Sequence, residues 1–200
     1  MGYDADKWSK RMYNRSDLSD YLTHLTKPIG QLSSVDVLIK ILNEGCINGS
    51  TDSGFIIGES PAVCFQDAPL YSVVQNIYHE VQNFDSLGRK KRYTANGLSF
   101  PKRDVFLRGG RPCIYEKKSV AKEMLLPSEW WRIVPFDLTW TKEIIDWSHE
   151  REWRVKGNFK FDLSETTVVL SHNSYREFVS KVGHEYLQTL GGIVVLSRLI

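Results

Sequence analysis

Long apolar runs are missing from this 200-residue chain, and none approaches the roughly 18 to 20 residues that cross a bilayer. Met1 to Arg15 is polar and of mixed charge, without the apolar stretch of a secretion signal. Cysteine is scarce and odd in number. Cys46, Cys64 and Cys113 lie far apart beside apolar neighbours and read as reduced core thiols of a cytoplasmic protein. No CxxC pair exists, which argues against the common structural zinc sites. His79-Glu80, His149-Glu150 and His184-Glu185 each open like the zinc-protease helix motif. Asn83, Trp153 and Gln188 stand where its second histidine belongs, so no metal site is expected. A glycine-rich phosphate loop, a GxSxG elbow and a GxGxxG turn are absent as well.

What is present suits a folded domain. Hydrophobic residues make up 42% and charged residues 25%, which excludes wholesale disorder. The chain reads as one α+β domain over residues 1–200, with 1–19 as a polar lead-in. Lys and Arg number 26 against 24 Asp and Glu, a formal net charge of +2, so the mean carries no polybasic footprint. Position changes that reading. Arg89, Lys90, Lys91, Arg92, Lys102, Arg103, Arg108, Arg111, Lys117 and Lys118 meet only Asp104 and Glu116, so this window carries +8 and the remainder −6. Tyr93, Phe100, Phe106 and Tyr115 interleave with them, a combination that suits phosphate contact with base stacking. A solvated basic loop, or a patch for an acidic protein, explains the same count.

Hydrophobic periodicity then orders the elements. Tyr21 to Thr26 alternates as a strand, and Val35, Leu38, Ile39, Ile41 and Leu42 form a helical stripe, capped by Ser33 or Ser34 and stopped at Gly45. Ala62 to Phe65 reads as a buried strand and Ser72 to Phe84 as a helix. Gly97 to Phe100 and Pro112 to Tyr115 read as strands flanking the turn at Gly109-Gly110. Trp130 to Phe136 reads as a strand or buried loop. Glu152 to Val155 is expected to continue through Gly157-Asn158 into a hairpin with Phe159 to Phe161. Thr166 to Leu170 is β-branched, Ser174 to Leu190 reads as a helix, and Gly192 to Leu196 closes the chain. Without regular βαβ alternation, this mixture points to α+β rather than to a doubly wound sheet.

The densest chemistry lies in Ser148-His149-Glu150-Arg151-Glu152-Trp153-Arg154. Extended from Glu150 to Val155, it places Glu150, Glu152 and Arg154 on one face, the two carboxylates about 7 Å apart. Such a pair suits a cleft in which one carboxylate holds a ribose hydroxyl and the other orients a nucleophile. A solvated face with Glu–Arg pairing gives the same pattern. His24 and Thr26 share a face of the first strand and suit contact with a ribose or amide; a structural histidine is the alternative. Gln66 and Asp67 end a buried strand, where sheets often present ligand contacts.

Four ordered blocks carry a family resemblance. Tyr21-Leu22-Thr23-His24-Leu25-Thr26, followed by a helix ending Ile41-Leu42-Asn43-Glu44-Gly45-Cys46-Ile47, resembles the opening of DarT-type and RNA-2′-phosphotransferase-type ADP-ribosyltransferase folds. Val63-Cys64-Phe65-Gln66-Asp67-Ala68-Pro69-Leu70 is similar to a segment of AbiGi-like abortive-infection proteins. So are Gly97-Leu98-Ser99-Phe100-Pro101-Lys102 and Gly109-Gly110-Arg111-Pro112-Cys113-Ile114-Tyr115. His149 to Arg154 resembles the late E-x-E-W-R segment of this group and of related phage-defence families.

The resemblance implies an ADP-ribosyltransferase-like split β-sheet with flanking helices, holding NAD as substrate in a toxin–antitoxin or phage-defence protein. It assigns Glu152 to stabilising an oxocarbenium-like transition state and Glu150 to orienting the acceptor. His24 and Thr26 would contact the nicotinamide ribose, and Phe65 and Tyr93 would stack on nicotinamide. The acceptor is expected to be nucleic acid, held by Arg89, Lys90, Lys91, Arg92, Lys102, Arg103, Arg108 and Arg111, and a cognate antitoxin is a second expected partner. No S-T-S strand accompanies these blocks. Two other readings stay open: a magnesium-dependent nuclease built on Asp104, Glu116 and Lys118, and a non-enzymatic antitoxin or interaction module.

Overall fold

The helical stripe that follows the first strand ends where its local signals say. In the computed structural model, which describes residues 2–51, 55–85, 93–139 and 143–196, α2 spans Ser34–Glu44. Its N-terminus is closed by reciprocal bonds: the Asp36 N–H donates to Ser33 Oγ and the Ser33 N–H to the Asp36 carboxylate, both at 3.1 Å. Gly45 ends it in the left-handed region at φ +57°, which a side chain would strain.

The centre of the molecule is a sheet of, among the described residues, seven strands. The strands are β1 (Tyr21–Leu25), β3 (Ala62–Gln66), β4 (Gly97–Pro101), β5 (Arg111–Pro112), β8 (Glu152–Lys156), β10 (Thr167–Leu170) and β11 (Gly192–Val195). They run in the order β11-β10-β4-β1-β3-β8-β5, all antiparallel except the β10–β11 pair. The fold is therefore α+β with a central mixed sheet and flanking helices, as the lack of βαβ alternation predicts. No helix among the described residues is long and apolar enough to cross a membrane.

Strand alternation gives the two faces different chemistry. One carries Leu22, Val63, Phe65, Leu98, Phe100, Val155, Val168 and Leu170, which pack with Val35, Leu38 and Leu42 of α2 and with Phe159, Phe161 and Phe178 into the main core. Its aromatic rings meet mostly edge to face, with Phe65 5.2 Å from Phe159 and 6.0 Å from Phe100. The other face is partly covered by α3 (Leu70–Gln82), through Val73, Val74 and Ile77.

Several local expectations change. The polar lead-in contains a helix, α1 (Ala5–Tyr13), capped by Asp4 and burying none of its residues. A short helix, α4 (Lys102–Leu107), follows β4 directly. Pro112 to Tyr115 is split between two sheets. β5 sits on the edge beside β8, where the missing proline N–H costs no ladder bond, while β6 (Ile114–Glu116) pairs in parallel with β7 (Ile133–Pro135). The Gly157-Asn158 hairpin does not form. Gly157, at φ +76°, turns the chain away, and β9 (Phe159–Lys160) pairs with β2 (Cys46–Ile47), delivering Phe159 and Phe161 to the core. The last helix divides at Gly183 into α6 (His172–Val182) and α7 (His184–Leu187).

Phe65 is 1% exposed at the middle of the aromatic core. Phe65→Ala is expected to lower the unfolding free energy by about 3–5 kcal/mol in urea titrations.

Candidate functional site

The carboxylate cluster is built differently from its sequence pattern. Ser148–Glu150 is a 3₁₀ turn, and Arg151 stands at φ +45°, a left-handed conformation unusual for a residue with a side chain. Glu150 therefore leaves the strand, and the shared face expected for Glu150, Glu152 and Arg154 reduces to Glu152 and Arg154. Glu150 accepts a hydrogen bond from the Tyr93 hydroxyl. The Arg151 guanidinium donates to the Asp17 carbonyl at 2.8 Å, and the Arg151 carbonyl accepts from the Asp67 N–H at 3.2 Å.

Glu152 opens β8 and is held from two sides. Arg154 donates to its carboxylate through Nε at 2.8 Å and Nη2 at 3.2 Å. Arg154 Nη1 also donates to the Trp131 and Ile133 carbonyls at 2.7 and 3.0 Å. Arg154 is 2% exposed and Glu152 8%, so the pair is buried and hydrogen-bonded on nearly every arm. Burial opposes the guanidinium charge more than any one neighbour favours it, but the Glu152 carboxylate together with the Cys113 and Cys64 thiols outweighs it, and Arg154 is held above its usual range. The backbone N–H of Glu152 donates to the Tyr115 hydroxyl, and its carbonyl accepts from the Cys113 N–H at 2.9 Å.

Glu152 also ends a row of polar side chains across four strands. In register, Glu152 faces Gln66, Gln66 faces Thr23, and Thr23 faces Ser99, so the four share one face of β8, β3, β1 and β4. Thr23 and Ser99 join through their hydroxyls at 3.3 Å. Gln66 Oε1 is buried without a hydrogen-bond partner. Cys64 shares this face with Arg154, its register partner. Burial, reinforced by the Glu152 charge, pushes the Cys64 and Cys113 thiols up, so neither is a ready nucleophile. Thr23 and Ser99 were not singled out from sequence. Their signal is parity, since both stand two-residue-periodic with glycine or apolar neighbours in their strands.

The other expected contacts fall elsewhere. His24 lies on the opposite face from Glu152, edge-on to Phe65 at 5.9 Å, with Nδ1 donating to the Cys64 carbonyl at 2.8 Å. Phe65 is enclosed in the core, which leaves its ring no face for a ligand. The Thr26 hydroxyl is spent on the Ser34 and Asn96 carbonyls at 3.2 and 3.1 Å. Tyr93 packs against the cluster of Ala68, Val73 and Ile77 while bonding Glu150. His24, Thr26 and Phe65 thus do not assemble with Glu152; the strand position beside Gln66 and Glu152 belongs to Thr23.

The basic window is also rearranged. Arg89, Lys90, Lys91 and Arg92 lie outside the described residues. Lys102 pairs with Asp67 at 2.6 Å. Arg108 pairs with Glu165 at 3.1 Å and Asp162 at 3.5 Å, and Lys117 with Asp137 at 3.3 Å. Arg111 bonds the Phe106 and Gly110 carbonyls and lies 4.3 Å over the Phe106 ring. Arg103 is exposed. Four carboxylates from outside the window are therefore drawn to it. For the nuclease reading, Asp104 lies on α4 and Glu116 on β6, where Glu116 accepts the Lys117 N–H at 2.7 Å. Among the described residues no three His, Cys, Asp or Glu side chains converge as metal ligands.

Burial holds His24 below its usual range, against a smaller opposing effect of the Cys64 carbonyl. Below the unfolded-state value near ~6.5, the unfolded chain takes up a proton that folded His24 resists, so stability falls as the pH drops. The urea midpoint is expected to decline from pH 7.5 to pH 5, and less so in His24→Gln. For the ion pair, Arg154→Met is expected to cost about 3–5 kcal/mol, read from the same titrations, because it leaves Glu152 buried alone. No family model, curated protein or solved structure matches this chain, so its functional reading stands on its residues and their geometry.

Proposed function

We propose that this protein is an NAD-consuming ADP-ribosyltransferase of a bacterial toxin–antitoxin or phage-defence system, with Glu152 as its charge-stabilising carboxylate. One observation carries the reading. The blocks that resemble the DarT-type and AbiGi-like families contribute β1, β3, β4 and β8, and these four strands are neighbours in the order β4-β1-β3-β8. They meet in a single polar row that ends at Glu152.

NAD supplies the scissile N-glycosidic bond, whose electron pair leaves with nicotinamide while an acceptor oxygen or nitrogen bonds the ribose carbon and loses its proton. The chain's part is electrostatic. Glu152 stabilises positive charge that develops on the ribose, and Arg154 fixes the direction of its carboxylate. Gln66, Thr23 and Ser99 line the approach with neutral hydrogen-bonding groups. Glu150, outside the row and bonded to Tyr93, is suited to the acceptor side. Nucleic acid is the acceptor that the +8 window supports, with exposed Arg103 as its described representative.

The closure of Glu152 onto Arg154 favours a second reading, a non-enzymatic interaction module in which this pair is structural. Purified protein incubated with labelled NAD, DNA, RNA and cell extract separates the two. Nicotinamide release and a labelled acceptor are expected, with Glu152→Gln at least ~100-fold slower and Glu150→Gln affected mainly in transfer. Melting curves establish that each variant is folded. An undiminished rate in folded Glu152→Gln removes Glu152 from the reaction, and NAD left intact by the wild type supports the interaction module.

A further inference from the structure

A groove of about 480 Å³ follows the flank of α3, and its lining includes Tyr71, Val74, Gln75, Tyr78, His79 and Gln82 but no residue of the polar row. Tyr71 and Tyr78 are 56% and 51% exposed, and Gln75, His79 and Gln82 are exposed with them. The other side of the helix is fixed, because Val73, Val74 and Ile77 are buried in the clusters that cover the sheet. The flank is therefore a firmly seated surface with two large aromatic side chains in water.

Two features decide what fits it. These lining residues include no Lys, Arg, Asp or Glu, which leaves a phosphate without a cation and a charged peptide without a counter-ion. Tyrosine-rich and poor in charge is the composition of a protein–protein interface core. The second feature is order. Tyr71, Gln75, Tyr78 and Gln82 recur at intervals of four, three and four, the spacing of a helix-pairing seam. Reversing the helix turns Tyr-Gln-Tyr-Gln into its own complement. About a two-fold axis between Gln75 and Tyr78, Tyr71 meets the partner's Gln82 and Gln75 meets the partner's Tyr78. Each layer then sets a phenol against a primary amide, whose N–H and carbonyl both complement the hydroxyl, and no like charges meet. A dissimilar partner gives no reason for this reversal symmetry, whereas a two-fold interface between identical chains requires it.

We infer that α3 is a homodimer interface, pairing antiparallel with α3 of a second copy of this chain through Tyr71, Gln75, Tyr78 and Gln82. The inference does not depend on the NAD reading. A helix of 13 residues is only ~20 Å long, so the seam is smaller than a standard interface and the dimer is a weak, reversible one.

Sedimentation equilibrium of the whole chain over ~1–200 μM is expected to show monomer and dimer in exchange, with a Kd on the order of 10 μM. Tyr78→Ala removes an anchor that occurs twice in each dimer and leaves the buried side of α3 untouched. It is expected to raise the Kd at least ~10-fold, with a melting curve like that of wild type. Register is read by oxidation. An equimolar mixture of Gln75→Cys and Tyr78→Cys chains is expected to cross-link at least ~3-fold faster than either chain alone, with wild type as the control for half-buried Cys46, Cys64 and Cys113. A wild type that stays monomeric over this range, a dimer that Tyr78→Ala does not weaken, or cross-linking no faster in the mixture overturns the assignment.

Discussion

The buried pairing of Arg154 with Glu152 is the interaction on which the candidate site depends. Removing a guanidinium and a carboxylate from water costs several kcal/mol for each ion, and that cost is offset only when nearly every donor and acceptor finds a partner. Arg154 meets the condition by bonding Glu152 twice and reaching the carbonyls of Trp131 and Ile133. It thereby ties the start of β8 to the chain entering β7. The register of β8 against β3 places Glu152 opposite Gln66, and the rest of the polar row follows from pairing across β1 and β4.

The two sheet faces divide the labour. Aromatic and branched side chains on one face make a core dense enough to fix strand register, because a one-residue slip would turn Phe65 and Leu98 outward and Gln66 and Ser99 inward. The other face uses that fixed register to hold polar groups in line. Where β8 begins, the left-handed Arg151 swings Glu150 out of the strand, so two carboxylates adjacent in pattern serve different neighbours. Such strain is kept only where surrounding bonds enforce it, and both the carbonyl and the guanidinium of Arg151 are tied down.

Much of the scaffold was legible in the chain. Capping at Ser33, the glycine stop at Gly45, the alternation in β1 and the β-branched run of β10 are local signals, and local bonds satisfy them. The site was legible only in part. Glu152 stands out by composition, but it is the family resemblance that sets His24 in the same cleft, and spacing does not say on which side of a sheet two distant strands present a given residue. The +8 window likewise does not show its own pairing, since Asp67, Asp137, Asp162 and Glu165 from outside it pair with Lys102, Lys117 and Arg108.

The sequence by itself determined the class of fold, the positions of its principal helices and strands and the identity of the residues able to do chemistry, because these depend on contacts a few residues apart. Tertiary structure decided which of them meet. It sent Phe65 into the core and turned His24 to the same face, set Thr23 and Gln66 beside Glu152 in their stead, and paired β9 with β2 instead of β8. The physical reason is that strand register and face are set by packing between segments far apart in the chain, and no local pattern carries that information.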